Sequence, residues 1–385
     1  MEPRRFPGHT HWYHETLSTL DIHAAPLFPE AADVDDRFLL GLAAEGHGDL
    51  QSVLHQSGPA LLASRRLYHL LFPERLTTSP AQTLTLYDRL SSALIVAQVT
   101  GIQRLCNHYA ARLNPLTGPD SSRESNRRLT LITEFSRQLA SQPGVIDSAA
   151  LLRLHEAGLT TADIITFSQI IGFVSYQARV VAGIHALLAL PARWIPGMTM
   201  PQDADPPRPH GRWHSDLTPV EQRHACPHQL EILARCQKES FFRENSGLLA
   251  HDAPVLECLN LLFCSLEEQR QTPEGALACA VSARINGSAA CFYRYAEGKL
   301  RDALQQNVEQ AALVATVKEK AVIGLAAQLT RSPERFTAAH IQPLKEQGMD
   351  LQSLFGLMQF TALASWHNRL MLALGSTEAS GAKTA

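Results

Sequence analysis

The stretch RINGSAACFYRYAEGKL, residues 284–300, breaks a helix-like apolar run at Asn-Gly and restarts it with Ser288, Cys291 and Tyr295. If Asn-Gly makes a turn, Ser288 stands at the start of a second helix and Cys291 in its first turn. Unpaired N–H groups and the helix dipole favour an anion there. Arg294 follows three residues later. This setting predicts a thiol pKa below the free value of about 8.5, and the thiolate is the form that attacks peroxides. Ser288, Cys291 and Tyr295 are spaced i, i+3 and i+7, so they share one helix face.

The neighbours define the rest of the chemistry. Ser288 reads as a helix cap rather than a nucleophile, because no adjacent base would take its proton and no G-x-S-x-G occurs. Tyr295, with an ordinary pKa of about 10, stays protonated near neutrality and exchanges only hydrogen bonds. A proton relay for Cys291 therefore has to come from elsewhere in the fold, and His367, in SWHNR, is the candidate. The clusters HTHWYHE (His9, His11, His14) and HACPH (His224, Cys226, His228) supply no convincing tetrahedral ligand set, so neither metal nor cofactor is expected.

The elements that must position these groups are helical. Aromatic residues make up only 6% of the chain, alternating strand patterns are scarce, and apolar residues recur at i, i+3, i+4 and i+7. The expected fold class is all-α, with helices over 86–99, 128–140, 273–285 and 353–374, the last a central packing helix. With 45% hydrophobic and 18% charged residues and a net charge of −3, there is no excess of positive charge for nucleic acid. The N-terminal stretch is polar, and no run approaches the roughly 18 apolar residues of a membrane helix, so a cytoplasmic protein without membrane partners is expected. Seven cysteines, scattered and without a C-x-x-C pair, are expected to be mostly reduced, buried and inert.

The chain also matches itself. HEAGLTTADIITFSQIIGFVSYQAR (155–179) aligns with KEQGMDLQSLFGLMQFTALASWHNR (345–369) at an offset of 190, with Glu156/Glu346, Gly158/Gly348, Gln169/Gln359, Ser175/Ser365 and Arg179/Arg369 identical. VTGIQRLCNHYAARL aligns more loosely with INGSAACFYRYAEGK at 186. The expected organisation is an N-terminal arm (1–35), a first helical domain (36–190), a Pro-rich linker (191–227) with the boundary near 195, a second helical domain (228–376) and a tail (377–385). In the first copy the slots of Ser288 and Cys291 hold Ile102 and Leu105, and Cys106 and His108, two residues apart, lie on different helix faces. Any activity is expected in the second copy. The recurring arginine, Arg179 and Arg369, reads as a helix-to-helix salt bridge or cap.

The order helix, Asn-Gly, short polar motif, helix, then a long helix resembles the carboxymuconolactone decarboxylase and alkylhydroperoxidase D superfamily, over both halves. Redox members carry Cys-x-x-Cys-x-x-x-His after Asn-Gly and a Glu twelve residues before the first Cys. Here those slots hold Ser288, Cys291, Tyr295 and Ala276, with Glu274 two residues earlier. The resemblance implies a tandem pair of helical domains, peroxide reduction by Cys291 with an external or distant thiol as reductant, and a homotrimer of fused pairs. Its other branch implies a cofactor-free decarboxylase or hydratase acting on an organic acid through Glu274, Tyr295 and His367. A catalytically degenerate binding or structural protein and a thiol sensor that stops at sulfenic acid are the remaining readings.

Overall fold

The computed structural model describes residues 30, 34–46, 48–190, 201–208, 211–239 and 241–377. Among them the fold is all-α, with two isolated bridges and no β-strand. The helices that position the site are α1 (Gly58–Leu71), α2 (Leu86–Val99), α3 (Gln103–Leu113), α4 (Arg123–Ser141), α5 (Ser148–Glu156), α6 (Thr161–Leu187), α7 (Ala253–Cys264), α8 (Pro273–Asn286), α9 (Ala289–Tyr295), α10 (Val317–Arg331), α11 (Ala338–Glu346) and α12 (Leu351–Ala373).

Local sequence sets their ends. Thr85 and Asp88 close a capping box on α2, and Thr160 and Asp163 close one on α6. The Asp163 carboxylate also accepts from the Thr83 and Leu84 backbone N–H groups, which ties the approach to α2 onto the start of α6. Asn286 ends α8, and Gly287 follows at φ 82°, a left-handed value that Gly tolerates without a Cβ penalty. Its N–H and that of Ser288 both donate to the Ala283 carbonyl, turning the chain into α9.

α6 and α12 are apolar on nearly every face, as a central helix must be. α6 reaches the length and mean hydropathy (1.3) of a candidate membrane span, above the apolar content expected from sequence, yet 94% of that window is buried inside the fold. The two helices run antiparallel. Gly172 lies against Trp366, and Gly183 lies against Met358, one helix descending as the other rises. A Cβ on Gly172 would stand 1.9 Å from Trp366 Cδ1, so this crossing accepts no other residue without displacement.

Elements recur in order at the spacing of the sequence match. α5 and α11 each span nine residues and begin 190 residues apart, and 3₁₀ turns at Pro143–Val145 and Pro333–Arg335 precede them. The recurring arginines cap helices across this pairing. Arg179 donates to the Thr330 carbonyl (2.6 Å) in the last turn of α10, and Arg369 donates to the Ala140 carbonyl (2.7 Å) in the last turn of α4. One buried apolar cluster runs through both halves.

The Pro-rich region behaves differently from a free linker where it is described. Asp203 accepts from Arg331, Ala204 N–H donates to the Ile285 carbonyl, and Trp213 Nε1 donates to the Met371 carbonyl. The expected boundary near 195 lies outside the described residues, as do most of the expected arm and tail.

Candidate active site

Cys291 occupies the third position of α9, in the first turn as expected, and its Sγ lies 3.5 Å from Nδ1 of His367 on α12. The two residues are 76 positions apart in sequence and meet because α9 folds back at Gly287 against the central helix. The His367 ring stacks on Phe241, with centroids 3.6 Å apart and planes inclined by 24°.

The environment reverses one expectation. Cys291 is only 1% exposed, and burial pushes its thiol up to about 11, against the opposing charge of Arg294 and the Ser288 hydroxyl. A first-turn position does not lower a thiol pKa when burial removes the water that would solvate the thiolate. Arg294 helps less than its spacing suggests because it is paired with Glu244 at 2.6 Å. Burial also holds His367 well below its ordinary value, and the nearby Arg294 charge acts in the same direction. The Phe241 backbone favours the protonated ring, but no hydrogen bond of ordinary geometry reaches Nε2. The resting pair at neutral pH is therefore a thiol beside a neutral imidazole, with Nδ1 placed to exchange a proton with sulfur.

Ser288 is the N-cap residue of α9, but its side chain makes no capping bond. Its hydroxyl instead faces the Cys291 sulfur, where it favours the thiolate. The sequence reading missed Cys279. This thiol is fully buried on α8, and the Cys291 charge adds to the burial that raises its pKa. Its only signal is a spacing of three residues from Ala276, which puts it on the same side of α8 but does not set it apart from the other small residues of that run.

Glu274 and Tyr295 belong to an adjoining cleft of about 630 Å³ between the start of α8, the end of α9 and the start of α10. Ala276 and Ala280 leave room along one wall, while Arg270, Lys299 and Lys318 contribute positive charge. Glu274 reaches the cleft despite its angular offset from position 276, because the cleft wraps round the first turn of α8. Its carboxylate accepts from Lys318 at 2.5 Å, and that bond holds its pKa below the ordinary value. Tyr295 joins cleft and thiol. Its ring lines the cleft, and its hydroxyl is raised by burial and then by the Cys279 and Cys291 charges. Cys291, Ser288 and His367 do not line the cleft.

In the first half, His108 bonds to the Tyr68 hydroxyl at 2.6 Å rather than to Cys106, and burial pushes Cys106 up to about 12. His224, Cys226 and His228 do not converge. His228 pairs with Glu257, His224 with Glu221, and the described residues contain no group of three that could hold a metal. His9, His11 and His14 lie outside the described residues. Compared with known proteins, the chain matches no family model and no curated protein.

Proposed function

We propose that the chain is a thiol oxidoreductase of the alkylhydroperoxidase D type that reduces peroxides at Cys291. The contact between Cys291 Sγ and His367 Nδ1 carries this reading. In the reaction, Nδ1 takes the thiol proton and sulfur attacks the terminal peroxide oxygen. The O–O bond breaks, and the departing alkoxide takes up a proton to leave as an alcohol. Cys291 is left as a sulfenic acid, and two thiols of an external reductant restore it, releasing water and becoming a disulfide. The cleft suits an organic hydroperoxide better than hydrogen peroxide, because its volume and apolar wall exceed what two oxygen atoms need. Cys291 does not line the cleft, and Tyr295, which lines it and lies near the sulfur, is the side chain whose displacement would join the two.

The reciprocal caps made by Arg179 and Arg369 support a duplicated helical domain, and the homotrimer of fused pairs and a peroxide or organic acid as substrate follow from the resemblance to that superfamily. The acid–base alternative is the weaker one. Glu274 is held ionised by Lys318, and the Tyr295 hydroxyl is held protonated by burial, so neither is tuned to exchange protons near pH 7. The burial of Cys291 favours a second reading, in which the cleft binds an organic acid and the thiol is inert.

Trapping separates the two. The protein is treated with an alkyl hydroperoxide or hydrogen peroxide at neutral pH, sulfenic acid is captured chemically, and the modified peptides are located by mass. Selective capture at Cys291 is expected even though its resting thiol is held protonated, because Nδ1 of His367 takes the proton as a peroxide bound in the cleft is attacked, a path that an alkylating reagent does not use. If Cys291 is captured no faster than exposed Cys226 and Cys264, the oxidoreductase reading is abandoned.

A further inference from the structure

Arg369 and Arg179 are each only 2% exposed, and their acceptors are all neutral oxygens. Arg369 donates from Nη1 to the Ser365 carbonyl and hydroxyl and from Nη2 to the Ala140 carbonyl, while Arg179 donates from Nη1 to the Ser175 carbonyl and from Nη2 to the Thr330 carbonyl. Nε has no partner in either residue. The carbonyl ends of α4 and α10 offset part of each charge, about half a unit by the helix dipole. A buried guanidinium cannot shed its proton near neutrality, so the remainder needs a counter-charge.

The two arginines differ in that respect. Glu334 supplies a negative charge to Arg179. The residue 190 positions before Glu334 is Gly144, so the matching carboxylate beside Arg369 does not exist. The charge that acts on Arg369 is the repulsive one of Arg179.

A second unpartnered donor faces the same turn. Trp366 Nε1, which can only donate, bonds to Gln169 Oε1 at 3.1 Å and so fixes the orientation of that amide. Gln169 Nε2 is then a donor, fully buried and without a partner. With α6 and α12 antiparallel and Gly172 against Trp366, Gln169 lies beside the turn that carries residues 366 to 369. Ser136, one turn before Ala140 on α4, is buried, and its hydroxyl also has no partner.

We propose that a small monovalent inorganic anion of the halide class binds where α4, α6 and α12 meet, accepting from Arg369 Nε, Gln169 Nε2 and the Ser136 hydroxyl. It does for Arg369 what Glu334 does for Arg179. The site is independent of the thiol chemistry and would stand if that reading failed.

The test uses the full chain at constant ionic strength. Thermal unfolding is followed as sodium bromide replaces sodium gluconate, and crystals grown in bromide are measured at the bromine absorption edge. Expected are a saturable rise in Tm of roughly 2–4 °C at a hundredfold excess over Kd and an anomalous peak beside Arg369 Nε. Arg369→Met removes the main donor and risks misfolding, so Gln169→Glu is the decisive variant. It keeps the acceptor for Trp366 and places a fixed carboxylate beside Arg369, so its Tm should be insensitive to bromide and no lower than that of the parent in gluconate. A Tm indifferent to bromide in the parent protein overturns the proposal. So does a water in place of the peak, an adventitious surface ion only, or an undiminished bromide response in Gln169→Glu.

Discussion

If burial governs Cys291, its alkylation rate should show a pH dependence that no exposed thiol shares. With the thiol pushed up to about 11, the thiolate fraction at pH 7 is about one in ten thousand, against about one in a hundred for a thiol at the ordinary 9.0. Iodoacetamide reacts with the thiolate, so native Cys291 should alkylate about a hundredfold more slowly than an ordinary thiol from its ionisation alone, before any penalty for access. The rate should climb about tenfold per pH unit from 7 to 10. Isotope-coded alkylation with peptide mass readout follows all seven cysteines in one sample, with exposed Cys226 as the internal reference. Tyr295→Ala, which removes a ring that lines the cleft near Cys291, should raise the Cys291 rate at least tenfold. A native Cys291 that titrates at or below about 8.5 would refute the reasoning, and would mean that an ion pair with His367 outweighs burial.

The same shift has a thermodynamic consequence with a definite sign. The folded state holds the Cys291 proton more tightly than the unfolded chain does, so its contribution is fully present below about pH 9 and is lost as pH rises towards 11. Two units correspond to a loss on the order of 3 kcal/mol. Buried Cys106 and Cys236, both pushed up to about 12, steepen the decline further. The share belonging to Cys291 is the difference in slope between the parent and Cys291→Ala in urea unfolding across pH 8 to 10.5. Equal slopes would show that the site opens before it ionises.

Gly172→Ala should destabilise the fold by about 3 kcal/mol or prevent folding, because its methyl meets the Trp366 ring at 1.9 Å, whereas Gly324→Ala, exposed in α10 with nothing within 4 Å, should stabilise it by up to about 1 kcal/mol in denaturant titrations. Lys318→Met should raise the Glu274 pKa, since the Lys318 bond is the main cause of its depression, and carbon-13 carboxyl titration would detect the change. That variant should leave the peroxide reactivity of Cys291 intact, and a loss would favour the acid–base reading. Asp203→Ala removes the carboxylate that holds Arg331, so it should cost about 1–2 kcal/mol and speed proteolysis near residue 203.

The helices were legible because apolar period and end signals agree. The apolar run 86–99 coincides with α2 at both ends, and the long apolar segment after Asp350 has the length and composition of a central helix. The meeting of Cys291 with His367 was legible only as a possibility, since it depends on how α9 lies against α12. The burial of Cys291 was not legible at all. A first-turn cysteine looks the same in sequence whether or not Phe241 and its neighbours close over the site. Cys279 was hidden because an apolar run such as PEGALACAVSARI makes a cysteine look like one more small core residue. The docking of residues 203 to 213 was invisible for the opposite reason. Proline predicts where a helix cannot continue, but it does not predict where the extended chain then packs.

The placement of the cleft in the second half has a cause that can be traced to single residues. α2 and α8 both start at capping threonines, Thr85 and Thr272, 187 residues apart. At that spacing Gly275 and Ala276 correspond to Asp88 and Arg89. In the second half Ala276 lines the open cleft together with Tyr295, Lys318 and Glu274, while Gly275 is packed against the Gln269 carbonyl. In the first half Arg89 is buried and donates to the Leu71 carbonyl, while Asp88 accepts from Arg128 and from the Thr85 backbone. The same helix start is therefore solid with hydrogen-bonded charge in one half and open in the other. A thiol chemistry that needs an organic substrate beside Cys291 has such a space only where alanine stands in place of Arg89, and the first half, with Leu105 in the thiol slot, has neither the space nor the sulfur to use it.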